Sequence, residues 1–336
     1  MPTEFIGVTF PATSQWNADE VTLIATVRKQ IEQAFPIGNN LLINLTWFGP
    51  QFDTGEYEKV LKLKVDRIFF MSSVDAPMMN AEQLEQISKQ VNAQEIYYLG
   101  NFETKHQFTF IATLLPKYFK HYNDSELVLS EVNHRYVNYN RKPRIHRVDL
   151  VNQLIANGLD GLGVITLGED VAYSNGPAPS ITLCEQPEDY AQEGNWGHGL
   201  AFGIPHDIHS LGNMSIWRHH FLNIVSETEF NPWDPMFITE KTWKPILGLR
   251  PFLINGQTQI YQYLKDNGFC TFEKYFPVDN QEVHAGIIST VKYLKQLPEN
   301  NIVNLYRAML PDLLHNRNRF TEFVQEQQHK INNLFQ

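Results

Sequence analysis

A chain of 336 residues, 43% hydrophobic and 12% aromatic, is long enough to bury one large core or two ordinary ones, and two domains are expected. Its net charge of −10 argues against a broad surface for nucleic-acid phosphates, and its only cysteines, Cys184 and Cys270, argue against a disulfide framework or a cysteine-built zinc site. No apolar run approaches the ~20 residues needed to span a bilayer, and Met1-Pro2-Thr3-Glu4-Phe5 lacks the basic and apolar segments of a signal peptide, so the expected location is the cytoplasm.

In chain order, strand-like and helix-like stretches alternate: "EFIGVTF", a helix over about 19–35, "LLINLTWFG", a short helix near 56–64, "RIFFMSS", a helix over about 80–92, "EIYYLGN" and a helix near 105–120. Such alternation predicts a parallel sheet flanked by helices. The polar stretch "HYNDSELVLSEVN", residues 121–133, reads as a linker. A second series begins with "RYVNYN", a helix over about 144–157 ended by Gly158, and "GVITLG". Residues 169–217 are rich in Gly, Pro and Asn and predict long loops with short elements. Then come "LNIVSE", a helix opened by "ITEK", the strand "RPFLING", a helix "TQIYQYLKDNG" and a short strand "FCTF". The end, roughly 281–336, reads as helices whose polar face carries "NRNR" and "QEQQHK". The simplest architecture is two α/β lobes, 1–125 and 126–285, closed by C-terminal helices over 286–336.

Positive charge is concentrated in two short places. Residues 141–149, "RKPRIHRVD", hold four Lys/Arg and one Asp, and residues 237–256 hold three Lys/Arg and one Glu. Removing both from the totals of 27 and 37 leaves 20 basic against 35 acidic residues elsewhere. That pattern suits a small anionic ligand held in an otherwise acidic protein.

Within "FITEKTWKPILGLRPFLING", Thr239 can cap a helix and place Glu240 and Lys241 in its first turn, where unpaired N–H groups and the helix dipole favour an anion. A plain helix start explains Glu240. It does not explain Lys241, at the unfavourable end of the dipole, or Pro245, which removes a helical hydrogen bond a few residues in. Ligands of open α/β lobes bind beyond the carboxyl ends of strands. There "LNIVSE" would deliver Ser226 and Glu227, and the next helix Glu240 and Lys241. A carboxylate can accept both hydroxyls of a ribose and a lysine can neutralise a diphosphate, which together describe a nucleotide site. Arg147 supports it: it shares a helical stripe with Leu150, Val151 and Leu154, so a guanidinium opens a core-directed face. Such an arginine either snorkels or pairs with a structural carboxylate, or it grips a diphosphate.

Ser226-Glu227-Thr228 followed by Phe237-Ile238-Thr239-Glu240-Lys241 resembles the signature of the α1,3-fucosyltransferases, a strand ending Phe-Glu-Asn before Tyr-Ile-Thr-Glu-Lys. Arg147, seven residues before Leu154, is similar to the arginine opening that family's first donor-lobe helix. The resemblance covers about residues 138–272, and "ITEKTWKP…RPF…G" also resembles putative glycosyltransferases encoded by viruses of marine bacteria, which would imply a virus-infected bacterial host. It implies a GT-B fold of two Rossmann-like lobes, a nucleoside-diphosphate sugar, GDP-linked by the family's habit, in the C-terminal lobe, and inversion at the anomeric carbon without a catalytic metal or other cofactor. Glu240 would hold the ribose, Lys241 and Arg147 the diphosphate, and Glu227 would lie beside the donor, with Ser226, Thr228, Phe237 and Thr239 around it. Thr228 and Phe237 depart from the family's Asn and Tyr, which leaves the sugar open.

An inverting transfer also needs a base for the acceptor hydroxyl. Among N-terminal carboxylates at expected strand ends, Asp75 is preferred, with Glu103 and Asp53 as alternatives; each also reads as a solvated loop carboxylate or helix cap. His206, Asp207, His209 and the pair His219-His220 raise a metal hypothesis, but no further ligand completes a shell, so no metal site is expected. His146 belongs to the basic stretch and would help bind the anion. Trp47, Phe69, Phe70, Tyr97 and Tyr98 read as core, whereas Trp196 and Trp217, flanking the Gly-rich loops, are placed to stack on a sugar. The expected partners are the nucleotide sugar and a glycan or other hydroxyl acceptor. The rival readings are transfer to modified DNA bases and a non-catalytic nucleotide-sugar-binding module.

Overall fold

In chain order the first sheet is built from β1 (Glu4–Ile6), β2 (Asn40–Asn44), β3 (Arg67–Ser72) and β4 (Glu95–Gly100), side by side and all parallel. The computed structural model describes residues 3–6, 15–45, 65–72, 89, 93–100, 106–120, 122–140, 143–167, 200–201, 204–205, 211, 214–233, 236–276 and 282–336. Helix α1 (Gln15–Ala34) joins β1 to β2 and buries Leu23, Val27 and Ile31, four residues apart and so on one stripe. On the sheet, Phe69 stacks on Tyr97 with ring centroids 4.8 Å apart. Gly100 ends β4 with φ 99°, and a Cβ there would fall 2.0 Å from the Ser72 carbonyl oxygen, so only glycine fits. The helices expected near 56–64 and over about 80–92 fall mostly outside the described residues.

Helix α2 (Phe110–Phe119) and the short α3 (Asp124–Leu127) lead to the second sheet. The stretch read as a linker is anchored: Tyr122, Leu127, Leu129 and Val132 are buried. Its polar residues alternate with apolar ones that the core takes up.

The second sheet starts with β5 (His134–Asn140), α4 (Ile145–Ala156) and β6 (Gly163–Leu167). Gly158, at φ 62°, ends the turn after α4. A small antiparallel pair, β7 (Leu200–Ala201) and β8 (Ile204–Pro205), and one helical turn, α5 (Met214–Trp217), precede β9 (His220–Ser226). Then follow α6 (Glu240–Leu247), β10 (Phe252–Asn255) and α7 (Gln259–Asp266). The strand order is β10-β9-β5-β6, all parallel. Because β5 has β6 on one side and β9 on the other, the chain reverses its direction across the sheet there. Such a reversal opens a crevice between adjacent carboxyl ends, here those of β5 and β9.

"FCTF" is not a strand. A 3-10 turn at Glu273–Tyr275 follows it, and the Asn316 side chain takes both Cys270 backbone groups, at 2.7 and 2.8 Å, in place of a neighbouring strand. Asn316 lies on α9 (Glu299–Asn332), which follows α8 (Val283–Gln296). Two residues assigned to the polar face therefore belong to the buried one: Asn316, and Gln327, which accepts the Thr109 N–H at 2.9 Å. Eleven residues apart, they share the stripe of Met309, Phe320 and Phe323 and satisfy loop backbone that the core would otherwise strand. α9 begins beside the second sheet, where Tyr306 donates to the Leu249 carbonyl, and ends on the first, where Gln30 donates to the Ile331 carbonyl and Phe335 packs edge-on to Phe69 and Tyr97. At 1.5 Å per residue its 34 residues reach about 50 Å, enough for both.

Candidate functional site

The carboxyl edge of the second sheet carries a buried polar layer. Asn138 donates its amide to the Ile224 carbonyl and to Ser226 Oγ, both at 2.9 Å, and Asn140 donates to Asn138 Oδ1 at 2.6 Å. Asn255 donates to Ser226 Oγ at 3.2 Å, and His284 donates to Asn255 Oδ1 at 2.9 Å. These asparagines are uncharged and stand outside the charge motifs of the sequence. Their signal is "YVNYN", which puts asparagine twice on one strand face although strands disfavour it.

Above this layer the first turn of α4 grips the backbone leaving β9. Arg147 Nη2 donates to the Glu227 carbonyl at 2.9 Å and His146 Nε2 to the same oxygen at 3.0 Å. Arg144 donates to the Thr228 carbonyl at 2.7 Å and to the Glu229 carboxylate at 3.0 Å. The carbonyl of Glu227 thus faces α4, while its carboxylate faces α6. One carboxylate oxygen accepts from Thr239 N at 3.1 Å and Thr242 Oγ1 at 2.6 Å, the other from Thr239 Oγ1 at 2.6 Å and Thr228 N at 3.3 Å. A fully buried carboxylate is tolerable only with such a full set of donors and a helix N-terminus beside it. Thr239 caps α6 as its sequence indicates, its hydroxyl accepting from Lys241 N at 3.3 Å, and α6 runs through Pro245 as one element.

Both basic segments meet here. The carboxylates of Glu227, Glu240 and Glu229 favour the Arg147 cation, while burial and neighbouring Arg144 oppose it and bring its pKa down to about 10, so it stays charged in neutral water. Lys241 Nζ lies 3.2 Å from Glu240 and 3.1 Å from Thr239 Oγ1. Of the residues singled out in the sequence, Arg147, Glu227, Thr228, Thr239, Glu240 and Lys241 therefore come together. Ser226 adjoins them, its hydroxyl committed to the asparagine layer. Phe237 is buried, with its N–H on Gln257 at 2.9 Å. His146 stacks on Phe230 at 5.1 Å, and burial pushes its pKa down to about 4, so at neutral pH it adds a hydrogen bond and no cation.

Trp217 is not available to a sugar: it is 1% exposed, packs where Gly248 leaves room, and donates its indole N–H to the Gly248 carbonyl at 3.1 Å. His219 and His220 each bond a backbone carbonyl one turn back, and among the described residues no three His, Cys, Asp or Glu side chains are grouped to hold a metal. Asp53, Asp75, Glu103, Trp47, Trp196, His206, Asp207 and His209 lie outside the described residues. Among the described residues no helix is long and apolar enough to cross a membrane.

No protein-family model matches this chain, and no curated protein does. Among solved structures it is similar to the crystal structure of AviGT4, a glycosyltransferase involved in Avilamycin A biosynthesis, at 10% identity and a TM-score of 0.30 over 92% of this chain and 89% of that one.

Proposed function

We propose that the protein is a glycosyltransferase that binds a nucleoside-diphosphate sugar at the carboxyl edge of the second sheet. The observation that carries the reading is the convergence of Arg147, from the first turn of α4, with Glu240 and Lys241, from the first turn of α6, beside the β5/β9 switch point. Neither helix gains from cations at its start, since the dipole is positive there. An anion seated between them reverses that sign. Glu240 and Lys241 pair with each other at 3.2 Å, and a ligand offering a ribose diol to one and a diphosphate to the other exchanges that pair for two charge-assisted contacts. Thr228 and Thr239 line the same edge, while Ser226, Glu227 and Phe237 hold it in shape from beneath.

In this reading the two sheets are the lobes of a GT-B enzyme, and transfer inverts the anomeric carbon. The acceptor oxygen attacks that carbon, its proton passes to a carboxylate of the N-terminal lobe, Asp75 or Glu103, and the diphosphate departs with its charge met by Arg147 and Lys241. No metal enters that scheme, and GDP is the first nucleotide to try, by resemblance to the fucosyltransferases.

The test is calorimetry with GDP, UDP and their sugars against the wild type and Glu240→Ala. Loss of a hydrogen bond to a charged group should weaken binding by about 1.5–3 kcal/mol. Unchanged affinity in the folded variant removes the argument. Turnover that stops in EDTA and returns with manganese contradicts the metal-free scheme. Tight, salt-resistant binding of duplex DNA without any nucleotide response favours the nucleic-acid reading, and nucleotide binding without transfer favours a non-catalytic module.

A further inference from the structure

The segment between β9 and α6 leaves and returns at one point, because Glu227 at its start binds Thr239 at its end. In between it is tied down repeatedly. Arg144 holds Thr228 and Glu229. The Phe230 ring sits against His146 at 5.1 Å and His284 at 5.4 Å. The buried Gln257 side chain spans the segment, accepting from Phe237 N at 2.9 Å and donating to the Asn231 carbonyl at 3.0 Å, and Gln259 donates to the Pro232 carbonyl at 2.8 Å. At the end of this scaffolding stands Trp233, 89% exposed, its N–H fixed on Asn231 Oδ1 at 3.2 Å.

Leaving an indole in water forgoes the burial free energy of the largest side chain. Here the backbone that carries it is held by the buried Gln257 amide, through Asn231 on one side and Phe237 on the other. Asn231 and Pro232, the described residues that precede it, are exposed and carry no large apolar side chain. A flat, exposed aromatic face on an anchored backbone, at the sheet edge where ligands bind, matches a ligand of its own size with a flat apolar face and polar rim. A pyranose ring has that form, its axial C–H groups on one side and its hydroxyls around the edge.

We propose that Trp233 is a stacking platform for a pyranose ring of the acceptor glycan. The proposal rests on the reading of the site as a glycosyltransferase, and it assigns to the donor-side lobe a contact with the other substrate. The acceptor is chosen over the donor because Pro232, next to Trp233, is tied to Gln259 at the start of α7, on the β10 side, whereas the diphosphate groups gather between α4 and α6.

The experiment measures tryptophan fluorescence and calorimetric binding for wild type, Trp233→Phe and Trp233→Ala, with maltopentaose, cellopentaose, chitopentaose and mannopentaose in one arm and GDP, UDP, GDP-mannose and UDP-glucose in the other. At least one oligosaccharide should perturb wild-type emission, with Trp233→Ala weakening it about tenfold and Trp233→Phe retaining most of it, as an aromatic contact worth about 1.4 kcal/mol requires. Nucleotide affinities should stay the same in all three proteins. Equal oligosaccharide binding by wild type and Trp233→Ala, or none by wild type, overturns the proposal. So does a loss confined to the nucleotide sugars, which would place the indole on the donor. Absence of nucleotide binding in the wild type strikes the glycosyltransferase reading instead, and is seen independently of the Trp233 variants.

Discussion

Two arginines, Arg147 and Arg250, are buried at opposite ends of the second sheet, and burial pulls both guanidinium groups down to a pKa of about 10. Their surroundings differ. Arg250, just before β10, is wrapped in backbone oxygen: it donates to the carbonyls of Leu127, Leu249 at 2.9 Å and Trp217 at 2.7 Å, and its charge lies 5.7 Å from the centre of the Tyr306 ring. Arg147 shares its neighbourhood with Arg144, Glu227, Glu229 and Glu240. Carbonyls hold a guanidinium in a fixed set that no ligand can improve. Carboxylates and a second cation make an ionic set that a charged ligand can rearrange. Depth and pKa alone would not tell them apart; the type of partner does.

The sharpest way to break this comparison is to remove Arg250. Arg250→Met should cost about 3–5 kcal/mol of stability, because the carbonyls of Leu127 and Trp217 lose this donor together and that of Leu249 keeps Tyr306 but not the guanidinium. Urea unfolding would show it as a lower midpoint, while the remaining folded protein keeps its nucleotide affinity. A variant that is stable but fails to bind nucleotide would erase the distinction.

Next in size is pH. His146 has a folded pKa of about 4 against 6.5 for the free side chain, so between those values the unfolded chain holds the extra proton. Stability is therefore full above pH 6.5, falls as pH drops toward 4, and levels off below it, by at most about 3 kcal/mol from this residue. His220, held well below its ordinary value by burial, acts in the same direction. Urea midpoints between pH 7.5 and 4.5 should fall more gently in His146→Gln, and a parallel fall would assign the effect elsewhere.

Arg147→Met tests the other arginine. Nucleoside-diphosphate affinity should drop by about 1.5–3 kcal/mol as the charge that meets the diphosphate is lost, beside a stability cost from the Glu227 carbonyl contact at 2.9 Å and the neighbouring carboxylates. Calorimetry beside urea unfolding separates the two numbers, and a variant that loses only stability would make Arg147 another Arg250. The smallest stability effect belongs to Glu240→Gln, which keeps the side chain's shape and removes only its charge beside Lys241 at 3.2 Å. Its urea midpoint should shift less than that of Arg250→Met or Arg147→Met, while nucleotide binding weakens.

What could be read from the sequence is what local physics decides. Alternation of apolar runs with helical stripes placed the strands of both sheets, Gly158 marked the turn after α4, and Thr239 followed by Glu240 marked the start of α6. Each depends on residues a few positions apart. What stayed hidden depends on partners far along the chain. Asn316 and Gln327 look like surface polar residues until Cys270 and Thr109, 46 and 218 residues away, present bare backbone to them. Trp217 looks like a sugar platform until Gly248, 31 residues on, receives it, whereas Trp233 stands exposed. Glu227 reads as one more ligand-facing carboxylate, yet its oxygens are spoken for by Thr228, Thr239 and Thr242. A side chain's chemistry is written in the sequence, but whether its hydrogen-bonding capacity is spent inside the fold or left for a ligand is settled only when distant segments meet.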